Sequence, residues 1–377
     1  MSTLKVNTIR HTGASSDAVT LATDGTCTAK ITNNLSNRNL IINGEMQVAQ
    51  RGTQTSLSSG SSYGGCDRWK VQPSNLGTWT LGQDTTDAPK NKGFNTCLKL
   101  DCTTADASPA AGDYLILQQG IEGYLCNQLA YGQSTAKSVT LSFWCKAEIN
   151  GWSSGTKSFV AELQAGSTTY ESGNLITLTT NDTWQKVSCT FPGMTGQAIA
   201  STSNDLGIML NLWLDAGSNW TTGSLSTSWD NKGNADRAAG LNLRLGAHTD
   251  NNFFMTGVQL EVGEVATDFE HRSYGDELAK CQRYYEVLYM SNGTACCYAT
   301  GDSTYKWAAM WYFKQEKRAQ ASVALLDDAA FTVSGGSGIT LTGIFTSKDH
   351  AMFYYDSGLF RLGDNDQHAS VKAESEI

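Results

Sequence analysis

The chain has 377 residues, of which 17% are charged, and a formal net charge of −9. It has no Lys/Arg run, which disfavours nucleic-acid binding, because a phosphate backbone is held by clustered cations that release its counterions. No apolar run approaches the roughly 20 residues a spanning helix needs.

The length predicts two or three domains. Ser, Thr, Asn and Gly run high where a helical protein would carry Glu and Lys on its wet faces, so sheets and loops are expected. Ten Trp and fourteen Tyr suit the core of a sandwich. Met1–Lys5 lacks the apolar core of a signal peptide, so synthesis in a cytoplasm without export by that route is expected. Ten cysteines include no C-x-x-C pair, and the neighbours Cys296 and Cys297 cannot easily share a zinc. Cys145 and Cys189 fall on inward strand positions, where a thiol acts as a small hydrophobe. Reduced thiols are expected, with Cys97 and Cys102 the one spacing that could bridge a hairpin.

In chain order, residues 1–37 form a thin segment. Its apolar positions (Leu4, Val6, Ile9, Val19, Leu21, Ile31) are sparse and broken by turns at Thr12-Gly13 and Asp24-Gly25. So little apolar surface cannot bury itself within one chain, and self-association is favoured over disorder. Residues 38–272 are dominated by period-two apolarity, the mark of strands with one buried face. Val139, Leu141, Phe143 and Cys145 form one run, and Val187, Cys189 and Phe191 another. Leu206, Ile208, Leu210, Leu212 and Leu214 form a third, and Leu241, Leu243 and Leu245 a fourth. Loops rich in Gly, Ser and Asn separate them, which fits a sandwich or jelly roll. Residues 273–289 read as a connector: Ser273 with Asp276 matches a capping pattern for a helix from Tyr274 to Glu286, with Leu278, Cys281 and Tyr285 on one face. Residues 290–377 read as a smaller β domain. A strand runs from Ile339 to Phe345 after the Gly335-Gly336 turn, and a last one carries Ala369, Val371, Ala373, Ser375 and Ile377 on one face.

Chemistry is sparse. The five histidines (11, 248, 271, 350, 368) lack metal-ligand spacing. Gly60-Ser61-Ser62-Tyr63-Gly64 matches the nucleophile-elbow pattern, which needs a strand before it and a helix after it; here it lies in a Ser/Gly-rich loop. The acidic clusters Asp327-Asp328 and Asp364-Asn365-Asp366 sit among polar residues and read as solvated turns. No catalytic residue is expected. Trp152, Trp220 and Trp229 lie in polar loops, where a ring can stack on a sugar while its neighbours bond hydroxyls; the alternative is that the loops fold back and bury them. Trp69, Trp144, Trp184 and Trp213 lie in or beside strands and read as structural.

Two stretches carry a resemblance. Asn39-Leu40-Ile41-Ile42-Asn43-Gly44-Glu45-Met46-Gln47-Val48-Ala49-Gln50-Arg51-Gly52-Thr53, followed by Cys66-Asp67-Arg68-Trp69, resembles the opening of a module of phage tail fibre proteins. Val258-Gln259-Leu260-Glu261-Val262-Gly263, Ala266–Arg272, Glu277-Leu278 and Cys281-Gln282-Arg283-Tyr284-Tyr285 resemble its ending. Ser2–Ile9 is similar to the start of virion appendages from marine phages. The same edges are similar to those of carbohydrate-binding jelly rolls, whose first and last strands lie side by side, often around calcium. That analogy implies a structural calcium at Glu45 and Glu261, since calcium takes several hard oxygen donors. The plainer reading pairs Glu261 with Arg51 or Arg68.

Composition and patterning predict an all-β protein with an oligomerising segment (1–37), a jelly-roll sandwich (38–272), a connector helix (273–289) and a C-terminal β domain (290–377), and the resemblance implies that it belongs to a virion. The resemblance also implies a homotrimer assembled in the host cytoplasm. Such a protein would join other virion proteins through residues 1–37 and bind host-surface polysaccharide or lipopolysaccharide without cleaving it. The alternatives are a purely architectural fibre, tail-tip or adaptor protein, and a depolymerase.

Overall fold

The computed structural model describes residues 5–15, 17–23, 25, 27–29, 37–166, 170–231, 233–290, 307–325, 341–355 and 369–377. Cys296-Cys297, Asp327-Asp328, the Gly335-Gly336 turn and Asp364-Asn365-Asp366 lie outside them.

Two antiparallel sheets face one another. The six-stranded sheet runs Gln185–Phe191, Val139–Glu148, Asn252–Val262, Cys97–Thr104, Thr78–Asp84 and Gln54–Leu57. The seven-stranded sheet runs Asp230–Asn231, Tyr170–Leu178, Lys157–Ala165, Leu206–Ala216, Tyr114–Glu122, Lys70–Ser74 and Ser62–Tyr63. The chain crosses repeatedly between the sheets, so that Asn252–Val262, late in sequence, pairs with both Val139–Glu148 and Cys97–Thr104. This crossing pattern is that of a jelly-roll sandwich.

Alternation explains the core. Leu141, Phe143 and Cys145 from one sheet meet Phe159, Leu163, Leu210 and Leu212 from the other, all buried in a single cluster. Phe159 and Phe253 stack edge to face at 5.5 Å. Each large side chain so buried contributes about 1.5–3 kcal/mol. The run Leu241–Leu245 is not a strand. Arg244 takes a left-handed backbone and a short 3-10 turn, Leu245–Ala247, follows. The Oδ1 of Asn242 accepts the amide of Ser158 at 2.5 Å, a bond that a ladder carbonyl would otherwise receive. Leu243 and Leu245 are still buried, which is why the spacing looked like a strand.

The two resembling stretches touch each other. The opening segment is irregular but lies along the closing strand, with Leu40 N donating to Leu260 O and Val258 N to Gly44 O, each 2.9 Å. A Cβ at position 44 would sit 2.2 Å from the Val258 carbonyl, so only glycine fits there. The carboxylate of Glu270 accepts the amide of Asn39 at 3.0 Å, and Arg272 donates to the carbonyl of Ile41 at 3.1 Å.

The helix spans Tyr274–Gln282, capped by Ser273 Oγ, which accepts the Asp276 amide at 3.2 Å. It ends earlier than the apolar spacing suggested, because Tyr285 and Glu286 begin the strand Tyr285–Met290. Cys281 and Leu278 pack on Ile42, Val48, Tyr284 and Ile377. Beyond it, Tyr285–Met290 and Ser322–Leu325 flank Ala369–Glu374 in one small sheet. Trp307–Tyr312 and Leu341–Thr346 flank His350–Tyr355 in another.

The C-terminal tail is gripped by residues of both resembling stretches. Arg51 lies over the Tyr285 ring at 3.7 Å and Arg68 over Tyr284 at 3.5 Å. Arg51 pairs with Glu374 and Glu376, Arg68 with Glu376. Neither arginine reaches Glu261. Near the other end, Thr8–Ile9, Val19–Leu21 and Cys27–Ala29 form a three-stranded meander that exposes Val6, Ile9 and Leu21.

The described cysteines 66, 97, 102, 126, 145, 189 and 281 are free. Cys97 and Cys102 share one strand, five residues apart, or roughly 16 Å at the usual strand rise, and cannot bridge. Burial pushes the thiols of Cys97, Cys126 and Cys189 up to about 12 and that of Cys102 up to about 11, which makes them poor nucleophiles.

Candidate functional site

The three loop tryptophans are folded inward. Trp152, 7% exposed, belongs to the main core, and its indole donates to Gly155 O at 3.1 Å. Trp229 donates to Pro192 O at 2.6 Å and packs edge-on against Tyr131 at 5.5 Å. Trp220 donates to Gly112 O at 3.0 Å and stacks 5.2 Å from both Trp213 and Tyr114. Trp152 is thus buried, while Trp220 and Trp229 are partly exposed with their indole N–H groups bonded inward; Trp220 forms part of a larger constellation.

That constellation covers the outer face of the seven-stranded sheet. Ladder register aligns Lys70 with Gln118, Gln118 with Asn211, and Asn211 with Glu162, a polar row across four adjacent strands. Gln118 Nε2 donates to Asn211 Oδ1 at 2.6 Å, and Asn211 Nδ2 donates to Glu162 Oε2 at 2.8 Å. The Trp213 indole also donates to Glu162, at 3.1 Å. Arg237, from the loop after Asn234–Asp236, grips the same carboxylate with Nε at 3.0 Å and a terminal nitrogen at 2.7 Å. It pairs with Glu171 at 3.1 Å and lies 4.9 Å from the Trp213 ring centre. Burial opposes the charge on Arg237, but Glu162 and Glu171 more than offset it and hold its pKa above the usual value.

Each end of this face is covered. Trp220, Leu225, Ala238 and Leu241 roof Ile116, Val160 and Trp213. At the other end Ile377 packs against Gly120, and Tyr284 with Arg283 bonds Glu122. Gln118 lies between Ile116 and Gly120 on the same strand face, between these covers, and is itself buried. Its Oε1 is buried without a hydrogen-bond partner. Lys70, Gln72 and Gln164 are partly exposed around it, and Gln72 donates to Tyr114 Oη at 2.8 Å. A buried acceptor lacking a donor costs about 1–3 kcal/mol, and a ligand hydroxyl would satisfy it.

The sequence reading missed this face. It tracked the inward Leu210, Leu212 and Leu214 and not the opposite parity, Met209, Asn211 and Trp213, which holds the polar and aromatic groups. Trp213, read as structural, is buried on the outer face and not in the sandwich core.

The calcium expectation does not fit. The carboxylate of Glu261 accepts the amide and hydroxyl of Thr267 at 2.8 and 2.7 Å and Gln259 Nε2 at 2.9 Å, and Arg38 lies at 3.6 Å. Glu45 faces His271 at 3.1 Å, and its carbonyl accepts Thr256 Oγ1. Thr256 is five residues before Glu261 on the same strand, roughly 16 Å away, while calcium needs its oxygens at about 2.3–2.6 Å. Among the described residues no group of three or more His, Cys, Asp or Glu could hold a metal. The nucleophile-elbow pattern is likewise unsupported: Ser62–Tyr63 is a short strand paired with Lys70 and Val71, leading into the loop before them and not into a helix.

No protein-family model and no curated protein matches the sequence. Among solved structures the chain is similar to the enzymatically active domain of tailspike protein 4 of bacteriophage CBA120, with a TM-score of 0.28 and 11% identity over 60% of this chain and 21% of that one. The chain thus spans about a fifth of that tailspike chain. It is similar to the TmCBM61 module solved with β-1,4-galactotriose, with a TM-score of 0.29 and 10% identity over 60% of this chain and all of that one. It is also similar to the CBM22-1 xylan-binding domain of Paenibacillus barcinonensis Xyn10C, with a TM-score of 0.28 and 10% identity over 63% of this chain and all of that one.

Proposed function

We propose that the chain is a non-enzymatic, fibre-like appendage of a phage virion that holds host-surface polysaccharide or lipopolysaccharide on the outer face of its seven-stranded sheet. The observation that carries the binding half is the row Lys70–Gln118–Asn211–Glu162, which lies between two covers beside the cluster Tyr114, Trp213 and Trp220 and is reached from the partly exposed Lys70, Gln72 and Gln164. Fixed amides and charges orient sugar hydroxyls, and aromatic walls exclude water. The virion half is supported by the opening and closing stretches, which close the sandwich and grip the tail. The exposed Val6, Ile9 and Leu21 support self-association, as a trimer, and attachment to other virion proteins through residues 1–37.

The test is binding of the full chain to purified host polysaccharide by calorimetry, beside Gln118→Ala and Lys70→Ala. Each variant should weaken binding by about tenfold, as loss of one oriented polar contact implies, and no new reducing ends should form. Unchanged binding in both variants would remove the sheet face from the reading. The second reading is a purely architectural appendage, favoured by the burial of Trp152 and the inward bond of Trp229. It requires that the wild-type chain bind no host surface and that antibodies against it leave adsorption intact.

A further inference from the structure

A second concavity lies beyond the covered end of the sheet face, sharing only Glu122, Arg283 and Tyr284 with that cover. It is a cleft of about 270 Å³ between the opening segment, the end of Tyr114–Glu122 and the capped helix, lined by Asn37, Leu40, Leu125, Gln128, Lys280 and Arg283 among others. Its volume falls just under the usual range of about 300–1,000 Å³ for larger ligands, which suits one small unit and not a chain. Leu40, Ile42 and the half-exposed Leu125 give it apolar walls. Asn37 and Gln128 bring amides to it.

The charges of the lining decide its chemistry. Glu122 is matched by Arg283, which donates twice to it at 2.6 and 3.1 Å, and Tyr284 Oη adds a third bond at 2.8 Å. Lys280 remains. Among the described residues it has no ion-pair or hydrogen-bond partner, and it is only partly exposed. Burial, with Arg272 nearby, lowers its pKa, while Glu277, Glu270 and Asp276 pull the other way. With Glu122 and Arg283 matched, Lys280 leaves the lining of the cleft with one net positive charge. One charge suits a carboxylate better than a phosphate, which carries close to two at neutral pH.

We propose that this cleft binds the carboxylate-bearing unit of an acidic sugar, its carboxylate on Lys280 and its ring between Leu40 and Leu125. The proposal does not rest on the sheet-face reading. A Lys70→Ala variant that loses polysaccharide but keeps monosaccharide binding would separate the two.

The experiment is titration of the full chain with D-glucuronate, D-glucose and acetate, followed by calorimetry or ligand-observed NMR. Glucuronate should bind and glucose and acetate should not. Lys280→Met should weaken glucuronate by about tenfold or more, the worth of one charge-assisted bond; Lys280→Arg should stay within a few-fold. Leu125→Trp, a change at an exposed position, should block the cleft with the melting temperature unchanged, so that loss of binding is not loss of fold. Equal binding of glucose and glucuronate, acetate as tight as glucuronate, or a Lys280→Met variant that binds like wild type would each overturn the proposal.

Discussion

Glu162→Gln tests whether the polar row on the sheet is held by charge. Glu162 is 1% exposed and accepts from Asn211, Trp213 and both ends of the Arg237 fork. The substitution keeps the size but removes the charge, and it turns an NH₂ toward groups that are themselves donors. Arg237 is left with Glu171 as its one carboxylate, beside Gln164 Oε1 at 3.3 Å. Breaking a buried ion pair from one side costs about 3–5 kcal/mol when the remaining charge is left unpaired, and with Glu171 still in place the low end, about 3 kcal/mol, applies. For a domain of this size that corresponds to a fall of roughly 10 °C in melting temperature. Arg237 also ties down the loop that roofs Trp213, so the variant should be cut by chymotrypsin at Trp220 or Leu225 under conditions that spare the wild type. It should also lose polysaccharide binding. A variant that melts within about 1 °C of wild type and resists the protease would refute the claim that Glu162 anchors the roof.

Glu376→Ala should cost about 3–5 kcal/mol by leaving Arg68 buried against Tyr284 without its carboxylate. Glu374→Ala, at a position with 32% side-chain exposure, should cost under about 1 kcal/mol; urea denaturation of both checks the contrast, and equal losses would contradict it. Asp215 is buried, and desolvation pushes its carboxyl up to about 6, against the amides of Gly246 and Ala216 and the charge of Arg244. Because its folded pKa is raised from about 3.9, its contribution is fully present below pH 4 and lost as pH rises through 6. The stability of wild type relative to Asp215→Asn should therefore fall by about 2 kcal/mol between pH 4 and 7, whereas parallel pH curves would show that Asp215 does not titrate this way. Adding calcium or a chelator should leave the melting temperature unchanged, since Glu261 is already occupied by Thr267, Gln259 and Arg38; a rise with calcium would restore the metal reading.

Much of the sandwich was legible because a half-buried strand writes its buried face into every second residue. Val139–Cys145 and Leu206–Leu214 are strands for that reason. The same signal misled at Leu241–Leu245, where two leucines reach the core from a backbone turned by Arg244. Spacing records which side chains are buried, not the path that buries them. It also could not end the helix correctly, because Tyr285 serves the strand that pairs with Ala369–Glu374, a partner more than eighty residues away.

The site was less legible for a related reason. A polar residue in a loop and one on a sheet's outer face look alike in sequence, and only register distinguishes them. Trp152 and Trp229 sit in loops that bend back on the core, while Gln118, Asn211 and Glu162 belong to three separate strands and meet only through ladder pairing. The opening and closing stretches stood out because their job is local and stereochemically strict. Gly44 must clear the Val258 carbonyl, Glu270 must reach the Asn39 amide, and Arg51 and Arg68 must lie flat on Tyr285 and Tyr284. Those demands fix residue types at fixed positions, so the stretches read as closure of the fold. The polar row asks only that amides and charges share a face, and many sequences satisfy that; what sets it apart is Gln118's unpaired oxygen, which only the folded register reveals.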